Sequence, residues 1–238
     1  MKKPISVHLP KQLPTILALE ASANKLSVAL MRNGDVAAER HHISAHGHAA
    51  SIVPLTIETL NDARESFDTI THVAAGCGPG SFTGIRMTLA AAKGFCMAYQ
   101  AVGVGLSGLQ ALASAARHAE PTAMSPCLAL ADTRRGTLYA QLFDPHEKPI
   151  SEIFESSLAH LPQTINTYHL TNGIRVVGVE HEAAADTLRL NGTSVSTPFI
   201  EEAPSASIIA RLAAVHIKLG TINPLGPLYI AHPVVGQE

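Results

Sequence analysis

The stretch Gly76–Arg86 combines residue types that suit the binding of an anion. It carries four glycines and one proline between two apolar segments. Pro79-Gly80 fits the centre of a type II turn, and Ser81 or Thr83 can cap the helix that follows. A glycine-lined turn before a helix N-terminus directs free N–H groups outward, where a phosphate or another anion binds. The candidate anion site comprises Gly78, Pro79, Gly80, Ser81, Phe82, Thr83, Gly84 and Arg86.

The same residues also have a structural explanation that their spacing leaves open. Glycine serves equally where one backbone passes close to another. Ser81 and Thr83 are not predicted to be nucleophiles, because no histidine is tied to them by a recognisable motif. Arg86 would be a cation in the first turn of a helix, where the dipole is mildly unfavourable. That position indicates a specific partner for Arg86, either Glu20 or an acidic residue of another subunit.

Two acidic residues suit a nucleotide cleft. Glu20 and Asp132 each end an apolar strand, at equivalent places in the two halves of the chain. Carboxylates so placed can hold a metal or act as a base in phosphoryl transfer. However, Ala21-Ser22-Ala23 and Thr133–Arg135 lack paired glycines, so side chains would crowd the phosphates. The alternative is that both acids cap turns.

Four histidines lie in the segment 41–48. His42 and His46 are four residues apart, a spacing that lets two imidazoles share a metal on one helix. Ser44 and Gly47 disfavour a helix there, so we expect a solvated loop without a metal site. The role of the cluster stays open.

These candidates need a scaffold in which strands and helices alternate. In residues 15–120 the pattern predicts three antiparallel strands, a helix, a strand, a helix, a strand and a helix, with a hairpin at Asn33-Gly34. Strands are expected at 15–20, 26–31, 35–39, 72–76 and 101–104, and helices from 51, at 84–99 and from 107 towards 118. Residues 121–238 partly repeat this order, with strands at 127–132, 137–143, 148–153 and 174–179 and helices at 181–190 and 205–219. We predict an α/β protein with a βββαβαβα first lobe, a degraded second copy, and a loose extension at residues 1–14.

The helix at 84–99 is the main candidate for a protein interface. Small side chains along one stripe let a second helix approach closely, while the opposite side packs on the sheet. The alternative is that both faces are buried within this chain. Ile85, Leu89 and Cys96 are expected on the sheet side. The predicted interface comprises Met87, Ala91, Gly94 and Ala98, with Ile52 and Leu55 of the preceding helix.

Composition narrows the functional classes. The chain has 238 residues, a net charge of −2 and 15% charged residues, which does not fit a protein that binds nucleic acid by itself. Its 46% hydrophobic content supports a substantial core. The three cysteines are odd in number and widely spaced, which favours reduced thiols in the cytoplasm. No segment has the length of a signal peptide core or a membrane span.

Several motifs in the same order carry a family resemblance. Gly78–Arg86, continued by Ala92-Lys93-Gly94, closely resembles the signature of the TsaB (YeaZ) family. The resemblance covers about residues 15–232. The supporting motifs are Ile16–Ser22 with Leu26–Leu30, Asp132–Tyr139 and Gly226–Ile230.

This resemblance implies the two-lobed fold of actin, sugar kinases and Hsp70 in a reduced form. It implies a scaffold or dimerisation subunit in the synthesis of threonylcarbamoyladenosine in tRNA, without cofactor, metal or catalytic residues of its own. The implied partners are the catalytic subunit TsaD, bound through helices of the first lobe, and the ATPase TsaE. A homodimer through the same surface is also implied.

Three positions depart from the family pattern. Glu20 stands where the family commonly has Asp, residues 22–24 lack a phosphate-approaching glycine, and Ala231 stands where relatives often have Arg. The alternative function is a small-molecule kinase or nucleotide hydrolase of the same fold. A proteolytic role finds little support, because the chain has no His-Glu-x-x-His motif.

Overall fold

The computed structural model describes residues 13–43, 48–198, 202–228 and 230. The predicted extension at residues 1–14 therefore lies almost wholly outside the described residues, as do residues 44–47 of the histidine segment and Ala231. The strands are β1 Ile16–Glu20, β2 Lys25–Arg32, β3 Asp35–Ile43, β4 His72–Gly76, β5 Val102–Leu106, β6 Cys127–Asp132, β7 Leu138–Phe143, β8 Phe154–Ser156, β9 Ile174–Gly178 and β10 Val195–Ser196. The helices are α1 His48–Asp62, α2 Phe82–Tyr99, α3 Gly108–Ala119, α4 Leu161–Asn166, α5 His181–Leu190 and α6 Ala206–Leu219.

Both halves of the chain form a five-stranded sheet with the same topology. The first sheet has the order β3-β2-β1-β4-β5, and the second has the order β8-β7-β6-β9-β10. In each sheet the first strand of the half is antiparallel to the second and parallel to the fourth. The predicted second copy is thus present, and it is degraded in its short members β8, β10 and α4.

Helices and sheets alternate in five layers, with a helical layer on each outer side and one between the two sheets. Helices α1 and α2 pack on one face of the first sheet, and α6 packs on the other. Helix α3 packs on the second sheet and against α6, so these two helices lie between the sheets. Helices α4 and α5 cover the outer face of the second sheet. One helix from each half therefore packs between the two lobes and joins them.

The central strand β1 shows why the first lobe is stable. Leu17 and Leu19 pack in the cluster beneath α1 and α2, whereas Ile16 and Ala18 pack in the cluster beneath α6. All four side chains are fully buried, which is why this strand reads as a continuous apolar run. Because the whole strand is buried, Glu20 at the end of β1 also lies in the interior.

Three local predictions are wrong. Helix α1 begins at His48, so Pro54 lies inside the helix and not in a first turn after Ser51. The third strand of the second half is Phe154–Ser156 and not 148–153, because Asp144 accepts backbone hydrogen bonds in a turn that occupies the start of that range. His41 and His42 belong to strand β3 and not to a loop.

Two properties of the described residues bear on function. No helix within them has the length and hydropathy needed to cross a membrane. Within the same ranges, no group of three or more His, Cys, Asp or Glu side chains comes together in a metal-binding arrangement.

Candidate functional site

The loop between β4 and α2, which we call the signature loop (Cys77–Ser81), wraps around the turn that follows β1. Three glycines spaced four residues apart each face one residue of that turn, and a Cβ at any of them would collide with it. Two of the collisions would be with backbone carbonyl oxygens, which cannot rotate away. The pairs are Gly76 with Glu20, Gly80 with Ser22, and Gly84 with Ala21.

Backbone hydrogen bonds fix the same contact. The Ser81 N–H donates to the Ser22 carbonyl at 2.7 Å, and the Gly84 N–H donates to the Ser81 hydroxyl at 3.2 Å. The Gly108 N–H donates to the Gly78 carbonyl at 2.8 Å. Two of the N–H groups that the anion site would need are therefore used inside the chain. Close approach of two backbones explains Gly80 and Gly84 without a ligand.

The geometry of the signature loop differs from the prediction in one respect. The Gly78–Pro79 peptide bond is cis, and Gly78 and Gly80 have φ values of +97° and +146°. The predicted type II turn is wrong, because its third residue, Gly80, would need a φ of about +80°. Of the two predicted N-caps, Ser81 is the one observed, and α2 begins at Phe82.

Glu20 is buried beneath the signature loop. It is 1% exposed, its Oε1 accepts from the Ser22 N–H at 2.5 Å, and its Oε2 has no hydrogen-bond partner among the described residues. Burial raises the pKa of Glu20, and hydrogen bonds from Ser22 and Ala21 oppose that shift only in part. Because the carboxyl packs against Gly76, it is not placed to hold a metal in a cleft.

Asp132 is engaged by its own turn. Its Oδ1 accepts from the Arg134 N–H at 2.6 Å, and its Oδ2 lies 3.3 Å from the Arg134 Nε. The Arg134 Nη2 then donates to the Asn24 Oδ1 at 2.8 Å. Arg134 thus links the second lobe to the first. Nothing in the sequence pattern identified Asn24 or this link.

A cleft of about 470 Å³ lies between the lobes. Asp132, Arg134 and Asn24 line it together with Pro79-Gly80 of the signature loop. The structure therefore brings Asp132 and the signature loop to one cleft. Glu20 is not among the described residues that line it.

The predicted interface on α2 divides into two parts. Gly94 and Ala98 are exposed. Met87 and Ala91 are half-buried and pack against the core cluster beneath α2. The sheet side is as expected, with Ile85 and Leu89 buried and Cys96 half-buried against the same cluster.

The assignment of α1 residues to the interface is wrong for both side chains. Ile52 and Leu55 lie in the core of this chain, with 4% and 9% exposure. The apolar side chains that α1 exposes are Val53 and Ile57, which are 47% and 45% exposed. On α2, Met97 is 85% exposed and lies beside Gly94 on the same face. Sequence spacing alone did not reveal which side of α1 the first sheet covers.

Arg86 and Phe82 form a pair that was not predicted. The Arg86 guanidinium lies 3.8 Å from the centroid of the Phe82 ring. The ring itself is 60% exposed. Glu20, one of the two predicted partners of Arg86, is held beneath the signature loop; the other, an acidic residue of another subunit, stays a prediction.

Gly84 and Gly94 provide a matched test of these contacts. Gly84→Ala should lower the free energy of unfolding by at least about 2 kcal/mol, because its Cβ would meet the Ala21 carbonyl. Gly94→Ala should raise it by about 0.5–1 kcal/mol, since no described atom lies within 4 Å of that Cβ and alanine is the better helix former. Urea unfolding followed by circular dichroism measures both. Equal shifts in the two variants would contradict the close-approach explanation.

Glu20→Gln should change how stability depends on pH. A carboxyl whose pKa is raised by folding binds its proton more tightly in the folded state, so stability falls as pH rises from the ordinary value of 4.5 through the folded-state pKa. The glutamine variant lacks this loss of stability. Its free energy of unfolding, relative to that of the wild type, should therefore rise across this pH range by up to about 1.4 kcal/mol per pH unit. Urea midpoints measured at several pH values test this, with the exposed Glu152→Gln as control. A pH-independent difference would show that Glu20 ionises normally.

Residues 38–196, more than half of the chain, match the protein-family model described as "TsaD: tRNA N6-adenosine threonylcarbamoyltransferase". The tRNA threonylcarbamoyladenosine biosynthesis protein TsaB of Bacillus subtilis is 31% identical over 129 residues, which is 54% of this chain and 55% of that protein. The chain thus aligns with little over half the length of that relative. TsaB of Haemophilus influenzae is 27% identical, and the alignment covers 94% of this chain and 96% of that protein.

Solved structures show the same fold. YeaZ from Pseudomonas aeruginosa superposes with a TM-score of 0.71 at 20% identity, covering 91% of this chain and all of that one. An inorganic polyphosphate/ATP-glucomannokinase from Arthrobacter superposes with a TM-score of 0.50 at 10% identity, covering 87% of this chain and 99% of that one. The fold is therefore the two-lobed one shared by actin, sugar kinases and Hsp70. By its family-model match the chain belongs to the TsaD family of tRNA N6-adenosine threonylcarbamoyltransferases, and its curated relatives place it with the TsaB (YeaZ) proteins.

Proposed function

We propose that this chain is a non-catalytic scaffold subunit of the complex that forms N6-threonylcarbamoyladenosine in tRNA, next to the anticodon, and that it binds the catalytic subunit TsaD. The observation that carries the proposal is the exposed face of α2 around Gly94. This face holds a small-residue surface that the chain's own core neither covers nor requires. The names of its relatives supply the pathway.

The state of the two acids supports a role without phosphoryl transfer. A kinase of this fold needs carboxylates that reach a metal or a substrate hydroxyl in the cleft. Glu20 is buried against Gly76, and Asp132 is paired with Arg134. Neither carboxylate is placed for that chemistry. We therefore propose no cofactor and no catalytic residue for this chain.

Helix energetics support a partner at Gly94. A glycine inside a helix costs about 1 kcal/mol relative to alanine. Within the described chain nothing offsets that cost, because the space above Gly94 is open. A helix from a partner that crosses at this point could approach the α2 backbone closely, because glycine has no side chain to hold it away. Met97, Val53 and Ile57 would supply the apolar contacts around it.

The remaining assignments follow from the same surface. We propose that the chain forms a homodimer through this face when TsaD is absent, and that the ATPase TsaE joins the assembled complex. The cytoplasm, where tRNA is modified, is the proposed location. The chain's net charge of −2 is consistent with a subunit that has no extended nucleic-acid surface of its own.

The second candidate is a small-molecule kinase or nucleotide hydrolase. The cleft of about 470 Å³ and the superposition on the glucomannokinase favour it. The two candidates separate in one assay of the purified chain alone. ATP hydrolysis that is lost on Asp132→Ala would favour the enzyme, and the scaffold proposal expects none above background.

Gly94→Arg should abolish binding to TsaD while leaving the fold intact. The arginine side chain would fill the space into which the partner helix packs, and its Cβ meets no described atom outside its own stretch of helix. Ala183→Arg, on the exposed face of α5 in the second lobe, is the matched control and should assemble normally. Ala91→Arg is unsuitable, because Ala91 packs against the core.

Size-exclusion chromatography with light scattering measures the mass of the mixture, and thermal unfolding checks the fold. A Gly94→Arg variant that forms the complex as well as wild type would contradict the proposed interface.

A further inference from the structure

A second pocket adjoins the interlobe cleft at Pro79-Gly80 and Arg134. It has a volume of about 280 Å³ and differs from the cleft in its chemistry. Arginine and aromatic side chains from both lobes converge on it, and the proposed scaffold function makes no use of them. These side chains, here called the arginine–aromatic pocket, are Phe82, Arg86, Arg134, Arg135 and Tyr139.

The two arginines of the second lobe are held in place by their own chain. Arg135 Nη2 donates to Glu155 Oε2 at 3.1 Å and to the Tyr139 hydroxyl at 3.5 Å. Arg134 is positioned by Asp132 and Asn24, as described above. Fixed guanidinium groups lose little entropy when they bind a phosphate, which they match in geometry. Among the described residues that line or contact this pocket, three arginines (Arg86, Arg134 and Arg135) accompany two carboxylates (Asp132 and Glu155).

The first lobe adds a stacking surface. The Phe82 ring is 60% exposed and carries the Arg86 guanidinium on one face at 3.8 Å. Phe82 is also the first residue of α2, whose 18 residues direct the positive end of the helix dipole to this place. Aromatic rings and guanidinium planes are the groups on which unpaired bases stack.

We propose that the arginine–aromatic pocket binds one unpaired nucleotide of an RNA strand, with its base against Phe82 and Arg86 and its phosphate at Arg134 and Arg135. The inference rests on the proposed function, in which the complex acts on tRNA. An acidic peptide would use the arginines but leaves the stacking surface without a partner. The low net charge of the chain is no obstacle, because one nucleotide needs a local cluster and not an extended basic face.

Fluorescence anisotropy with a short labelled single-stranded RNA and the full chain tests the proposal. At low salt we expect a Kd on the order of 10⁻⁵ M. Phe82→Ala should weaken binding about tenfold, since loss of one base-stacking contact has this scale. Arg134→Gln should weaken it and reduce the salt slope by about 0.7, the value for one phosphate contact of a single strand. Leu190→Ala and Arg189→Gln are the matched controls on α5 and should bind as wild type does.

Three results would overturn the proposal. These are an unchanged affinity in both pocket variants, a duplex of the same sequence binding as tightly as the single strand, or a polyglutamate peptide displacing the RNA at equal concentration. Assembly with TsaD is measured on the same samples. Arg134→Gln should assemble with TsaD normally, and Gly94→Arg should still bind RNA. The RNA-binding proposal and the scaffold proposal can therefore be refuted separately.

Discussion

The turn at Glu20–Ser22 and the glycines of the following strand–loop–helix unit form the contact on which the first lobe depends. Gly76, Gly80 and Gly84 each leave room for one residue of that turn, and the Ser81 N–H bonds to it. This packing determines where α2 begins and which of its faces is exposed to solvent. It also occupies backbone donors that a phosphate would need. One close approach of two backbones thus positions the proposed interface.

The duplicated topology determines how the two lobes are joined. Both halves keep the same strand order, and α3 and α6 join them through the space between the sheets. The packing of these two helices therefore joins the lobes through protein contacts. Arg134, bridging from the second lobe to Asn24, adds a further link across the cleft. In this chain, contacts between protein groups connect the two sides of the cleft.

Much of the fold could be predicted from the sequence, because fully apolar runs such as β1 and the Asn33-Gly34 hairpin carry strong local signals. The boundaries of α1 and β8 could not, since Pro54 is tolerated inside a helix by tertiary packing and β8 has only three residues. For the site, the glycine spacing was informative but ambiguous between a ligand and a backbone. The burial of Ile52 and Leu55 and the hydrogen bond from Arg134 to Asn24 depend on contacts between distant segments, which no local pattern contains.

Hydrogen–deuterium exchange of the chain with and without TsaD tests the central claim most directly, because it reports which backbone segments the partner covers. The account predicts slower exchange in α2 from about Ala90 to Ala98 and in the exposed part of α1, with α5 unchanged. Protection confined to the second lobe or to the cleft, with none in α2, would contradict it.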